Sequence, residues 1–124
     1  MIIGVGTDIL AMSRLQSIEQ NEAFLSRVFT QAERKEAESR EGGMLNYFCT
    51  RFAGKEAVFK ALGISPDGVR LNEIEILTRE HGQPYVTLHG WTKEAAGKSG
   101  VESILISLSW EKDYAVAFAV ACGV

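Results

Sequence analysis

Leu45-Asn46-Tyr47-Phe48-Cys49-Thr50-Arg51-Phe52-Ala53-Gly54-Lys55-Glu56-Ala57-Val58-Phe59-Lys60-Ala61-Leu62, closed by Gly63, carries the strongest helical pattern in the chain. Gly63 is the residue expected where a helix stops in a left-handed turn. At about 100° per residue, Leu45, Phe48, Cys49, Phe52, Glu56 and Phe59 fall within one stripe roughly 100° wide. Glu56 thus takes a core-facing position, where a carboxylate is costly unless paired, protonated or bound to a cation. Lys60, four residues on, borders the stripe at one edge and Lys55 at the other. The plain alternative is an i,i+4 Glu56–Lys60 ion pair that supports the helix by a few tenths of a kcal/mol.

Before this helix, Ile2 to Ile9 alternates Ile3, Val5, Thr7 and Ile9 on one face with Ile2, Gly4, Gly6 and Asp8 on the other, the pattern of a half-buried strand. The glycines leave room beside Asp8, a carboxylate whose ordinary role would be to cap the backbone at the strand's end. Gly4 and Gly6 do not make a dinucleotide fingerprint, since the third glycine is absent and no helix begins at once. Ser13 with Gln16, and Thr30 with Glu33, have capping-box spacing, and Asn21 can cap a turn containing Phe24, Leu25 and Val28. Arg14 is then expected in an exposed first turn. The polar stretch after Thr30, up to Gly42 and Gly43, is expected to be a surface helix.

After the helix the chain reads as paired strands. Ile74–Leu77 and Tyr85–Leu88 flank the turn His81-Gly82-Gln83-Pro84, and Ile104–Ser109 and Tyr114–Cys122 flank Trp110-Glu111-Lys112-Asp113, with a short helix over Thr92–Lys98. Helices early and hairpins late predict an α+β fold: a single domain over 1–124 with a largely antiparallel sheet packed on the long central helix. A length of 124 residues, 46% of them hydrophobic, suits one continuous core. The net charge of −3 argues against a nucleic-acid-binding footprint. The acidic excess lies in residues 63–124, which leaves the first half better suited to an acidic partner. Cys49 and Cys122 lack metal or redox spacing and read as buried thiols. No leader pattern precedes the first strand and charges interrupt every apolar run, so the expectation is a cytoplasmic protein with no membrane span. Asp8, Glu56 and Lys60 are the minimum set for a magnesium ion holding a phosphate-bearing substrate, if the fold brings them together.

Gly4-Val5-Gly6-Thr7-Asp8-Ile9, followed by Arg51-Phe52-Ala53-Gly54-Lys55-Glu56-Ala57-Val58-Phe59-Lys60-Ala61-Leu62-Gly63, closely resembles the holo-acyl carrier protein synthase family, short 4'-phosphopantetheinyl transferases. The resemblance extends through Gly82-Gln83-Pro84-Tyr85, Ile106-Ser107-Leu108-Ser109 and Tyr114-Ala115-Val116-Ala117, nearly the whole chain. It implies transfer of phosphopantetheine from coenzyme A to a serine of apo acyl carrier protein, in support of fatty acid biosynthesis. Asp8 and Glu56 would be the magnesium ligands, Lys60 would meet the coenzyme A phosphates, and Glu56 or a metal-bound water would accept the serine proton. Gly63, Gly82, Pro84 and Ser107 match positions near the coenzyme, although each also suits an ordinary helix stop, turn or strand. Arg14 and Arg27 match the basic surface that meets the acidic recognition helix of the carrier protein. The resemblance further implies a homotrimer with active sites between subunits. One departure stands out: where the family often carries histidine beside the Ser-x-Ser strand, this chain has Leu105 and Trp110. A binding module without catalysis, or an architectural subunit of a larger synthase, would be the competing readings.

Overall fold

The computed structural model describes residues 1–40 and 43–124. Its elements in chain order are β1 (Ile2–Ala11), α1 (Glu22–Val28), α2 (Gln31–Glu38), α3 (Met44–Leu62), β2 (Ile74–Thr78), β3 (Pro84–Leu88), α4 (Gly90–Lys98), β4 (Val101–Glu111) and β5 (Tyr114–Gly123), joined in places by short 3-10 turns. Local signals set the helix ends. Asn21 accepts from the Phe24 N–H, Thr30 and Glu33 close a capping box, and Gly63 ends α3 at φ 64°, a left-handed conformation that favours glycine. The expected Ser13–Gln16 box does not form. Met12 is buried and its N–H donates to the Asp113 carbonyl at 2.7 Å, so β1 runs directly into a 3-10 turn, Met12–Leu15, with Arg14 in its last turn. The tract expected as a surface helix becomes α2, and Gly42 lies outside the described residues.

β1, β5 and β4, in that order, form a three-stranded antiparallel sheet, and β2 and β3 form a separate antiparallel pair. The expected architecture is therefore present, with the sheet in two parts around α3. The packing differs from the amphipathic expectation. The face of β1 that meets α3 carries Gly4 and Gly6, while Val5 and Ile9 on the apolar face are more than half exposed. On β5 the buried residues are Ala115, Ala117, Ala119, Ala121 and Gly123. Small side chains here let strand and helix backbones touch: a Cβ added at Gly4 would lie 2.2 Å from the Ala61 carbonyl oxygen, and one at Gly6 2.0 Å from that of Ala57. The deepest face of α3 is accordingly Ala53, Ala57, Val58 and Ala61. Phe48 and Cys49 of the expected stripe are buried, but Phe52, Glu56 and Phe59 are only half-buried.

A second cluster, with Leu25, Val28, Phe29, Tyr47 and Phe48, packs α1 and α2 on the first half of α3. Inside it lies a fully buried ion pair, Lys55 Nζ to Glu33 Oε1 at 2.8 Å. Lys55, expected at the edge of the Glu56 stripe, thus belongs to Glu33. Its ammonium also donates to the carbonyls of Leu71 (3.0 Å) and Ile74 (2.6 Å), and Glu33 accepts from the N–H groups of Thr30 and Ile76. Burial pushes the Glu33 carboxyl up and the Lys55 ammonium down, while their mutual attraction opposes both shifts. Cys49 and Cys122 are free thiols, Cys49 buried and pushed up to about 11 by that burial. Among the described residues no helix is long and apolar enough to cross a membrane.

Two outcomes follow. Gly6→Ala drives a methyl into the Ala57 carbonyl and is expected to cost about 2 kcal/mol or more, lowering Tm on the order of 10 °C in a thermal melt; an unchanged Tm would mean the strand can back away freely. Lys55→Met leaves Glu33 buried without its counter-ion and is expected to cost about 3–5 kcal/mol by urea unfolding. The double variant Glu33→Gln/Lys55→Met should be more stable than Lys55→Met alone, and strict additivity of the two changes would refute the pairing energetics.

Candidate active site

Asp8 projects from the helix-facing side of β1, two residues beyond Gly6, opposite Ala117 of β5. The glycine contact brings this end of β1 against the last turns of α3, where Glu56 and Lys60 stand one turn apart. The Lys60 ammonium donates to the Thr7 carbonyl at 2.9 Å and to Asp8 Oδ1 at 3.3 Å. The Asp8 side chain is 19% exposed and that of Lys60 51%, so the pair sits at a solvent-open rim. Lys60 is therefore engaged with Asp8 and strand backbone rather than in the i,i+4 pair with Glu56. The Glu56 carboxyl is raised above its ordinary range by partial burial first and by the nearby Asp8 charge second, with Lys60 opposing. Two carboxylates that disfavour each other's charge, half-neutralised by a single exposed lysine, form a site in which a further cation is favoured. Both are hard oxygen donors of the kind that magnesium and calcium take. Among the described residues, no three His, Cys, Asp or Glu side chains gather as a closed metal cage. A metal at Asp8 and Glu56 would complete its shell from water or substrate.

The remaining expected residues fall into three places. Gly63 is exposed at the end of α3, three residues past Lys60. Gly82 (φ 88°) and Pro84 border a cleft of about 330 Å³ between the β2–β3 turn and the first half of α3. Ser107 lies on the outer sheet face opposite Phe118, on the other side of the sheet from Leu108 and so from the Asp8 cluster of its own chain. Arg14 and Arg27 are both exposed, and among the described residues neither side chain forms an ion pair.

Sequence reasoning passed over the cationic lining of the cleft. Arg40, at the end of the α2 segment, and Arg51, on α3, both reach it, with Tyr47, Thr50, Thr78, Leu108 and Trp110. The Arg51 guanidinium stacks 4.2 Å from the Tyr47 ring centroid and donates to the Thr78 hydroxyl at 2.6 Å, while its Nε is buried with no partner. Burial lowers its pKa. Arg51 stood inside the quoted motif and its charge on a helix otherwise turned inward was an available signal; Arg40 had none, because only the fold carries it there.

The family model of the 4'-phosphopantetheinyl transferase superfamily matches residues 4–119. A holo-[acyl-carrier-protein] synthase of Desulforudis audaxviator is 41% identical over 125 residues, covering 99% of this chain and 95% of that protein. The solved acyl carrier protein synthase of Plasmodium yoelii with ADP bound superposes with a TM-score of 0.88 at 35% identity, covering 100% of this chain and 97% of that one. A complex of ACPS with CoA from Chronobacterium ammoniagenes gives a TM-score of 0.85 at 28% identity, over 98% of this chain and 97% of the other. With motif, site geometry and fold in agreement over nearly its full length, the chain belongs to the holo-acyl carrier protein synthase family of 4'-phosphopantetheinyl transferases.

Proposed function

We propose that this chain transfers 4'-phosphopantetheine from coenzyme A to the serine hydroxyl of an apo acyl carrier protein, releasing adenosine 3',5'-bisphosphate, in support of fatty acid biosynthesis in the cytoplasm. The observation that carries the reading is the meeting of Asp8, Glu56 and Lys60 from elements about 50 residues apart, with Lys60 bonded to Asp8 at 3.3 Å. In this reading Asp8 and Glu56 would hold a magnesium ion, which would supply Lewis-acid chemistry and charge neutralisation toward the coenzyme phosphates. The serine oxygen forms a bond to the phosphorus bearing the pantetheine arm as the bond to the bisphosphate oxygen breaks. Lys60, half exposed at the rim, stabilises the negative charge that develops on the transferring and leaving oxygens. Glu56, or a water on the metal, accepts the serine proton. Arg40 and Arg51, which share the single carboxylate of Glu36, leave the cleft beside Gly82 and Pro84 with one positive charge in excess, which suits a phosphate-rich coenzyme. Arg14, six residues beyond Asp8 and without an ion pair among the described residues, meets the acidic face of the carrier protein with Arg27, adding mainly to association rate.

The outer sheet face supports assembly as a homotrimer. Val5, Ile9, Leu105, Val116 and Phe118 lie exposed on one side of β1, β5 and β4, a contiguous apolar surface unusual for a monomer. Ser107 shares that face, so an interface there would place it at a subunit boundary, in keeping with active sites between subunits.

Intact-mass measurement of an apo carrier protein incubated with the chain, coenzyme A and magnesium is expected to show a gain of one phosphopantetheine that chelator abolishes. Glu56→Gln should lower the rate about 100-fold or more. Coenzyme binding without any mass gain would instead favour a catalytically silent module. In light scattering, wild type is expected at three times the chain mass and Phe118→Glu at one; an unmoved mass would place the interface elsewhere.

A further inference from the structure

We infer that Trp110 is the surface on which the purine of the coenzyme rests, so that this chain fixes the nucleotide end of its substrate by aromatic stacking. The inference deepens the transferase reading and rests on it. Along β4, Ile106, Leu108 and Trp110 share the face turned to α3. The helix covers the first two through Gly54, whose absent Cβ would sit 3.0 Å from a Leu108 methyl and 3.2 Å from one of Ile106. It does not cover Trp110. The indole stands 52% exposed although its neighbour across the strand pair, Ala115, is fully buried.

What the indole borders is the cleft of Arg40, Arg51, Gly82 and Pro84. A flat, half-exposed aromatic surface stands beside two guanidinium groups that share the one carboxylate of Glu36, 3.5 Å from Arg40 and 3.9 Å from Arg51, so one positive charge is left in excess, which matches a ligand that is itself flat at one end and anionic next to it. A nucleotide has that chemistry, since every base has a π-face that stacks on aromatic side chains and its phosphates pair with arginine. The pantetheine arm has neither feature. The cleft volume of about 330 Å³ lies within the range of small-molecule sites. Trp110 also borders the outer groove of Ile9, Tyr114 and Val116, so a second copy of the chain is the competing occupant of its exposed surface.

The chain has two tryptophans, and Trp91→Phe leaves Trp110 as the sole emitter without touching the cleft. Titrated with adenosine 3',5'-bisphosphate, Trp110 emission is expected to be quenched saturably, whereas 4'-phosphopantetheine, which lacks the base, leaves it unchanged. Trp110→Ala should raise KM for coenzyme A about 5- to 100-fold with kcat little altered, and Trp110→Phe should recover most of the loss. An unchanged KM in Trp110→Ala, or emission that responds to chain concentration and not to the bisphosphate, overturns the assignment and leaves the transferase reading standing. Quenching by the bisphosphate with no transfer by the wild-type chain supports the assignment and overturns the transferase reading instead.

Discussion

The contact between the backbone of β1 and the backbone of α3 is the constraint from which the rest of the molecule follows. Gly4 and Gly6 press on the carbonyls of Ala61 and Ala57 with no side chain between. Because the strand is this close, Asp8, two residues on, comes within reach of Lys60 on the next turn of helix. A single methyl group at Gly6 would lift the strand and open that distance, so the same residues that make the packing possible also set the chemistry. The alanine ladder of β5 extends the arrangement across the sheet. Its corollary is that the large side chains of β1 and β5 have nowhere to go on the helix side and emerge on the outer face. An exposed apolar sheet face and a tightly held carboxylate are thus two results of one packing choice.

The buried Glu33–Lys55 pair does a different job. Replacing a buried ion pair by well-packed apolar residues is often neutral or stabilising, so its presence is weak evidence for stability as such. What it supplies is direction. The Lys55 ammonium has three donors, and all three are used: on Glu33 of α2 and on the carbonyls of Leu71 and Ile74. Glu33 in turn holds the N–H of Ile76. One residue before Glu56, the helix is therefore fixed to β2, whose hairpin turn carries Gly82 and Pro84 to the cleft. The partners must keep this register because no shifted arrangement would satisfy a buried charge.

Local signals were legible in the sequence and long-range ones were not. The Thr30 capping box, the Asn21 cap, the Gly63 stop and the first hairpin are settled within a few residues and appear where the pattern placed them. The second hairpin turns more tightly than expected, with Trp110 and Glu111 still in β4 and the turn at Lys112-Asp113. The Ser13 box failed because a contact from the far end of the chain, Met12 to Asp113, competed with it. Reading hydrophobic faces misplaced the inside of β1 and left Glu56 too deep, since periodicity assumes that large apolar side chains mark the core. Here backbone contact does, and glycine and alanine carry no weight in such a pattern. The partner of Lys55 lies 22 residues away with no spacing to announce it. Asp8 and Lys60, 52 residues apart, could be joined only through the resemblance of their motifs.

The length of α3 explains how one helix can serve both halves of the proposed reaction. At 1.5 Å per residue, Arg51 and Lys60 are separated by about 13 Å along the axis. The first half of the helix, with Tyr47, Thr50 and Arg51, lines the cleft, and the last turns carry Glu56 and Lys60. These two groups differ in charge. Arg40 and Arg51 with their shared Glu36 leave the cleft an excess of one positive charge, whereas Asp8, Glu56 and Lys60 together leave an excess of one negative charge. An anionic coenzyme is drawn to the first and opposed by the second. At an effective dielectric of about 20, unit charges 4 Å apart interact by about 4 kcal/mol, so Lys60, 3.3 Å from Asp8, offsets one carboxylate and leaves the charge of the other. In the proposed reading the nucleotide end supplies affinity, and the reacting end takes an added cation. That reading separates recognition from chemistry along a single helix, so that neither has to be weakened to suit the other.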